Sequence, residues 1–253
     1  MNMKRLIFAI LCAATTCGAI YAQSGSDIEL GKKYWDEERY ELALPYLQRA
    51  TAAGDIDSKV RLAYMIFTMQ VPQYSMDQQQ ALRMLDECID EGSAFAMERK
   101  GWCIIAMSPD TREDKMRGVE LFEQASDAGY GPATARLRAL YAQGLKSPAK
   151  GNVYIEPNDS LEMHYTRLAF EQGDLDGIAY TGLYTFEGTR GFDKDEDAGA
   201  ALLIQACQMN EKLFCGNCPE AAYCLMNYYK SRGNAPGAAS IYKWLKKFYP
   251  TRY

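Results

Sequence analysis

Three clusters in this sequence combine residue types that do chemistry. Ser147-Pro148-Ala149-Lys150 has the Ser-x-x-Lys spacing of acyl-transfer nucleophiles that open β-lactams, in which the Lys lies one helical turn from the Ser and takes its proton. Pro148 and Gly151 place this copy in a loop, and no Ser-Asp-Asn or Lys-Thr-Gly accompanies it. Asp193-x-Asp195-x-Asp197 matches the first half of a calcium loop, but the Gly and the Glu required further on are Ala198 and Ile204. Those acids read instead as a helix start. Cys215-Gly216-Asn217-Cys218 is a Cys-x-x-Cys ahead of Pro219-Glu220, a setting for a redox pair or for half of a zinc site completed by Cys207 and Cys224. His164 is the single histidine, which excludes any site needing two imidazoles. No residue set here predicts a catalytic centre, a metal or a cofactor.

The elements that position these residues begin after a leader. Lys4 and Arg5 precede an apolar run, Leu6–Ala14, and Ala19-Ile20-Tyr21-Ala22 offers a cleavage site before Gln23. Residues 1–22 read as a secretory signal peptide, and residues 23–253 as the mature domain. The run is too short to span a bilayer, and no later stretch of the mature chain is long enough. Lipidation at Cys17 would need small residues before it, and Ala14-Thr15-Thr16 fits poorly. The chain carries 28 Lys and Arg against 33 Asp and Glu; loss of Lys4 and Arg5 moves the net charge from −5 to −7. An acidic mature chain excludes the usual nucleic-acid binder. The expected location is the periplasm or the extracellular space. An exported chain that keeps six cysteines is expected to form disulfides.

The mature chain is a repeat. A small residue, then positions +3, +7 and +11, recurs as Ala43, Tyr46, Ala50, Gly54; Ala81, Met84, Cys88, Gly92; and Gly118, Leu121, Ala125, Gly129. It continues as Glu162, Tyr165, Ala169, Gly173; Gly199, Leu202, Ala206, Asn210; and a degraded Ala238, Ile241, Leu245, Tyr249. The starts lie 38, 37, 44, 37 and 39 residues apart. Steps of three and four put these residues on one helix face, and the terminal Gly suits the left-handed conformation that stops a helix. Four residues before each set stands a cap, Asp77, Asp114, Asn158, Asp195 or Asn234, with Arg39 the exception. A second helix precedes each, marked by Gly31, Ala63, Gly101, Tyr141 and Gly182, and Ser26-x-x-Glu29 is a capping box for the first. The predicted fold is all-α: about six helical hairpins stacked into a right-handed superhelical solenoid, with no competing strand pattern.

Leu137-x-x-x-Tyr141-x-x-Gly144, Gly182-x-x-x-x-x-Gly188, Asp77-x-x-x-Ala81 and Ala169-x-x-x-Gly173 resemble the Sel-1-like repeat, a longer-looped relative of the tetratricopeptide repeat. The resemblance covers about residues 26–250. Arg138 stands where that pattern has Gly, and the Lys before Ala is mostly missing. The resemblance implies an adaptor that binds a protein or peptide partner in its concave groove. Exported cysteine-rich relatives also make a β-lactamase-like or penicillin-binding enzyme acting on cell-wall-derived substrates the alternative.

Two further expectations follow. Counting back two residues from Ala63, Gly101 and Arg138 gives Arg61, Arg99 and Arg136, one column on successive first helices. That cationic stripe is a candidate binding site for an acidic partner; the competing reading has each Arg paired with a neighbouring acid such as Glu98. Cys88 and Cys103 are expected to pair across a helix contact, and Cys207 with Cys224, leaving Cys215 with Cys218; other pairings of these four stay open, as does a free Cys88 standing in for Ala.

Overall fold

The structure is a computed structural model that describes residues 25–71, 78–107, 111–147, 151–209 and 218–250. The chain divides into two compact units, residues 1–108 and 109–253. Unit 1 holds α1 (residues 25–36), α2 (Tyr40–Ala52), α3 (Ile56–Phe67), α4 (Gln78–Asp90) and α5 (Ala94–Met107). Unit 2 holds α6 (Arg112–Asp127), α7 (Gly131–Gln143), α8 (Asp159–Glu171), α9 (Leu175–Glu187), α10 (Glu196–Met209), α11 (Pro219–Ser231) and α12 (Ala235–Phe248). Between α7 and α8, β1 (Leu145–Lys146) and β2 (Val153–Ile155) form a two-stranded antiparallel hairpin. The sequence reading, which found no strand, missed it: two and three residues are too few to show alternation.

In each unit sequential helices pack as antiparallel neighbours, and first helices also touch across hairpins, α3 on α5 and α9 on α11. The small residues of the repeat make this approach possible. Ala43, Ala50, Ala81, Cys88, Ala125, Ala169 and Ala206 are all fully buried. Around them unit 1 packs Leu47, Val60, Met65 and Leu85, and unit 2 packs Leu203, Leu225, Ile241 and Leu245.

The caps explain where the helices begin. Asn158 Oδ1 accepts from Leu161 N at 3.0 Å, Asp195 Oδ1 from Ala198 N at 2.8 Å and Asn234 Oδ1 from Gly237 N at 3.0 Å, as the repeat predicts. Arg39 makes no side-chain cap. Asp77 lies outside the described residues. Asp114 is a correction: α6 starts a turn earlier, capped by Thr111, whose Oγ1 accepts from Asp114 N. Asp114 then sits in the first turn, where its charge still complements the helix dipole. The stops behave as expected, with φ of 93° at Gly54, 85° at Gly92, 83° at Gly129 and 72° at Gly173. One polar knot ties three helices together: Thr134 Oγ1 meets Ser126 Oγ at 2.6 Å and donates to Gln172 Oε1 at 2.5 Å, and Gln172 Nε2 donates to the Ser126 carbonyl at 2.9 Å.

Candidate functional site

The Arg column divides between the units. In unit 1, α3 and α5 run side by side with Arg61 and Arg99 in equivalent positions, six residues after their caps Asp55 and Ser93. Phe95 lies between the two guanidiniums, 5.0 Å from Arg61 Cζ and 5.3 Å from Arg99 Cζ. Arg99 also lies 4.9 Å from the Tyr64 ring, which meets Trp102 at 5.5 Å and Trp35 at 5.6 Å; Trp35 in turn meets Tyr40 at 5.6 Å. The result is a continuous cation–aromatic ladder along half-buried faces of the first helices. Each arginine is also ion-paired. Arg61 donates to the Asp57 carbonyl at 3.0 Å with the Asp57 carboxylate at 3.6 Å, and Arg99 Nε lies 3.2 Å from the Glu98 carboxylate. Pairing with nearby acids, the competing reading, therefore holds for both. Arg136 is half-buried on α7 of unit 2.

Unit 2 contains a charged centre that the sequence reading did not assemble. Arg138 takes the small position of α7 and Glu162 the small position of α8. Both are buried, and their charged groups lie 3.8 Å apart. Arg138 Cζ sits 3.6 Å above the Tyr180 ring of α9, close enough for a strong cation–π contact. Glu162 accepts from Tyr184 Oη at 2.6 Å and faces Arg190 Nη1 at 3.6 Å, which itself pairs with Asp159 at 2.6 Å. Burial, reinforced by the hydrogen bond to Glu162, raises the Tyr184 phenol, and burial pushes Tyr180 up to about 12. Both phenols keep their protons at neutral pH and remain donors. A signal for this centre existed: every other hairpin has Ala or Gly at the Glu162 position, and the two departures from the repeat lie on adjacent helices.

The described cysteines, Cys88, Cys103, Cys207, Cys218 and Cys224, are thiols. The expected pairings of Cys88 with Cys103 and of Cys207 with Cys224 are not formed in this structure, and Cys215 lies outside the described residues. Cys88 and Cys103 are wholly enclosed in the unit 1 core, Cys88 filling the place of Ala50 and Ala125. Burial pushes Cys88 up to about 11 and Cys103 up to about 12. In unit 2 burial pushes Cys218 up to about 11 and Cys224 up to about 12, the latter helped by Glu187, whose Oε1 lies 3.7 Å from Sγ. Groups held so high supply almost no thiolate at neutral pH, the opposite of what a redox or nucleophilic cysteine needs.

The remaining candidates do not converge. Ser147 is buried in the hairpin loop, its N–H donating to the Asn152 carbonyl at 2.7 Å, and Lys150 lies outside the described residues. Asp195 is a helix cap, and Asp197 accepts from Tyr228 Oη at 2.7 Å and pairs with Arg232 at 2.6 Å. His164 is exposed on α8, edge-on to Tyr165, beside an open pocket that Ser160, Arg167, Leu168 and Glu171 of the same helix complete. Among the described residues no cluster of His, Cys, Asp or Glu has metal-holding geometry, and no helix is long and apolar enough to cross a membrane.

Helical hairpins of this length, with small-residue faces and left-handed stops, define a helical-repeat protein. Solved structures agree and give the repeat type. A Sel1 repeat protein from Oxalobacter formigenes matches with a TM-score of 0.56 at 19% identity, over 87% of this chain and 84% of its own. The protective antigen c5321 of uropathogenic Escherichia coli strains, which displays the same fold, matches at 0.53 and 18% identity over 91% of this chain; this chain spans 46% of that one. The protein has the Sel1-like repeat fold, a helical-repeat solenoid. No protein-family profile matches the sequence. No curated protein is significantly similar to it.

Proposed function

We propose that the protein is an exported, non-enzymatic scaffold that holds a protein or peptide partner against the first-helix face of its repeats. Export rests on the leader-like residues 1–22, and the scaffold type on the Sel1-like fold. The observation that carries the binding reading is the ladder Arg61–Phe95–Arg99–Tyr64. Arg, Tyr and Trp are the residues that dominate binding surfaces, because they bury much area with few rotatable bonds and add directional contacts. Both guanidiniums lie about 5 Å from ring centroids and keep part of their surface exposed, and N–H groups left over from the Asp57 and Glu98 pairs suit carboxylates, so the partner is acidic along this stretch. Arg136 stands at the corresponding position of α7 in unit 2. Capture of partners from envelope extract by wild type, compared with Arg61→Ala/Arg99→Ala/Arg136→Ala, tests the reading. Lost capture with an unchanged melting temperature supports it. Intact capture alongside lost stability makes the arginines structural and ends it.

A further inference from the structure

We propose that the outward face of α12 is a docking surface for an anionic lipid bilayer. This surface shares no residue with the Arg61–Arg99 ladder. The chain as a whole is acidic, yet from Ala221 to Tyr253 it has four Lys and two Arg and no Asp or Glu. Within that stretch α12 is two-sided. Ala238, Ile241 and Leu245 are buried against α11, while Tyr242, Lys243, Lys246, Lys247 and Phe248 are exposed. Tyr242 and Phe248, at 48% and 49%, are the two most exposed Phe, Tyr or Trp rings among the described residues. The cations and rings are interleaved: Lys246 Nζ lies 5.7 Å from the Tyr242 ring, Lys247 Nζ 4.9 Å from the Phe248 ring, and Trp244 packs on Phe248 at 5.2 Å. Lys243, Lys246 and Lys247 form no ion pair with a carboxylate among the described residues, in contrast to Arg61, Arg99, Lys59 and Arg232.

Lysines in the last turn complement a helix dipole. That effect accounts for Lys246 and Lys247 but not for Lys243 a turn earlier, nor for the two exposed rings. At 100° per residue the three lysines centre the exposed arc and the two rings flank it on either side, an arrangement that a bilayer surface with acidic headgroups accommodates. The rings settle at headgroup depth, where an apolar body and a polar tip both find partners, and the lysines extend to the phosphates. Docked in this way, the helix lies on the surface and does not span it.

The test is co-sedimentation with vesicles of phosphatidylcholine alone and of phosphatidylcholine mixed with phosphatidylglycerol. It uses the full chain and the chain beginning at Gln23, so that the apolar run of residues 6–14 is controlled. Binding to the mixed vesicles only, weakened by salt, is expected. Each lysine near such a surface strengthens partitioning about fivefold, so Lys243→Gln/Lys246→Gln/Lys247→Gln lowers it on the order of a hundredfold. All three sites are exposed, and an unchanged melting temperature verifies the fold. Arg at the same three positions retains binding, and Tyr242→Ser/Phe248→Ser weakens it with the charge intact. Equal binding to neutral vesicles, an unaffected triple Gln variant, or capture of soluble polyphosphate without vesicle binding would overturn the proposal. So would a dimer that the triple variant dissolves while neither form binds vesicles, which would assign the face to a second copy of the chain.

Discussion

The buried pair Arg138–Glu162 makes a quantitative prediction. At 3.8 Å, with the effective dielectric of about 20 that suits such sites, their attraction is about 4 kcal/mol before desolvation is counted. Desolvating two ions consumes much of that, so the pair adds little net stability, but losing one partner is costly. The two losses are unequal. Glu162→Leu leaves Arg138 enclosed against the Tyr180 ring, its Nε without a hydrogen bond and its ion-pair partner gone, and should cost ~3–5 kcal/mol. Arg138→Met leaves Glu162 with the Tyr184 hydroxyl at 2.6 Å and Arg190 at 3.6 Å, and should cost ~1–3 kcal/mol. The double variant, with no charge left to strand, should cost less than the sum by ~2 kcal/mol or more. Urea unfolding followed by Trp244 emission, with Trp35 and Trp102 of unit 1 changed to Phe, reads unit 2 selectively. Single-variant costs that add to within ~0.5 kcal/mol, or a costlier loss of Arg138 than of Glu162, would refute the reasoning.

Asp174 caps α9 through Asp176 N at 2.9 Å, and burial, then Asp176, raises its carboxyl above the ordinary value. A raised carboxyl means that the folded chain binds the proton more tightly than the unfolded chain, so this group's contribution to stability falls as pH rises from the unfolded value through the folded one. Asp174→Asn keeps the cap and should flatten the melting temperature across that window, whereas Asp174→Ala should lose about 1 kcal/mol at neutral pH. A Cβ at Gly177 would fall inside the backbone of Ala169 and Phe170, while one at Gly129 meets nothing but carries a φ of 83°. Chemical denaturation should therefore rank Gly177→Ala, at ~3 kcal/mol or more, well above Gly129→Ala at about 1 kcal/mol, although Ala is the better helix former at 177. Alkylation followed by mass spectrometry should label Cys88 and Cys103 only after unfolding, with no reductant needed; thiols missing from the unfolded, unreduced chain would show the disulfide instead.

The repeat was legible because three signals, cap, face and stop, recur in phase, and the structure keeps that phase at Asn158, Asp195, Asn234 and the four stopping glycines. Boundaries were less legible. Thr111 starts α6 ahead of Asp114 because two capping residues stand a turn apart, and only packing selects between them. The Arg ladder was visible as a column, but its Phe95 rung was not, since α3 and α5 bring together residues 34 apart. The Arg138–Glu162 centre was hidden for a different reason. Each half looks like noise in its own hairpin, and the two explain one another only once α7 and α8 are packed. For the cysteines, an even count and a leader favour pairing, whereas the enclosed small position at Cys88 suits a thiol equally well, and sequence does not weigh one against the other.

The central claim is that the first-helix face of the repeats holds a partner. The most direct measurement places a photo-cross-linking benzoylphenylalanine at Thr68, the C-cap of α3, in line with Asp57, Arg61 and Tyr64 at helical spacing, and a control at Arg83, exposed on α4. Irradiation in cells that express the protein should yield one defined cross-linked product from position 68. It should vanish in the Arg61→Ala/Arg99→Ala background and be absent from position 83. Equal cross-linking from both positions, or a product at 68 that survives loss of both arginines, would contradict the account.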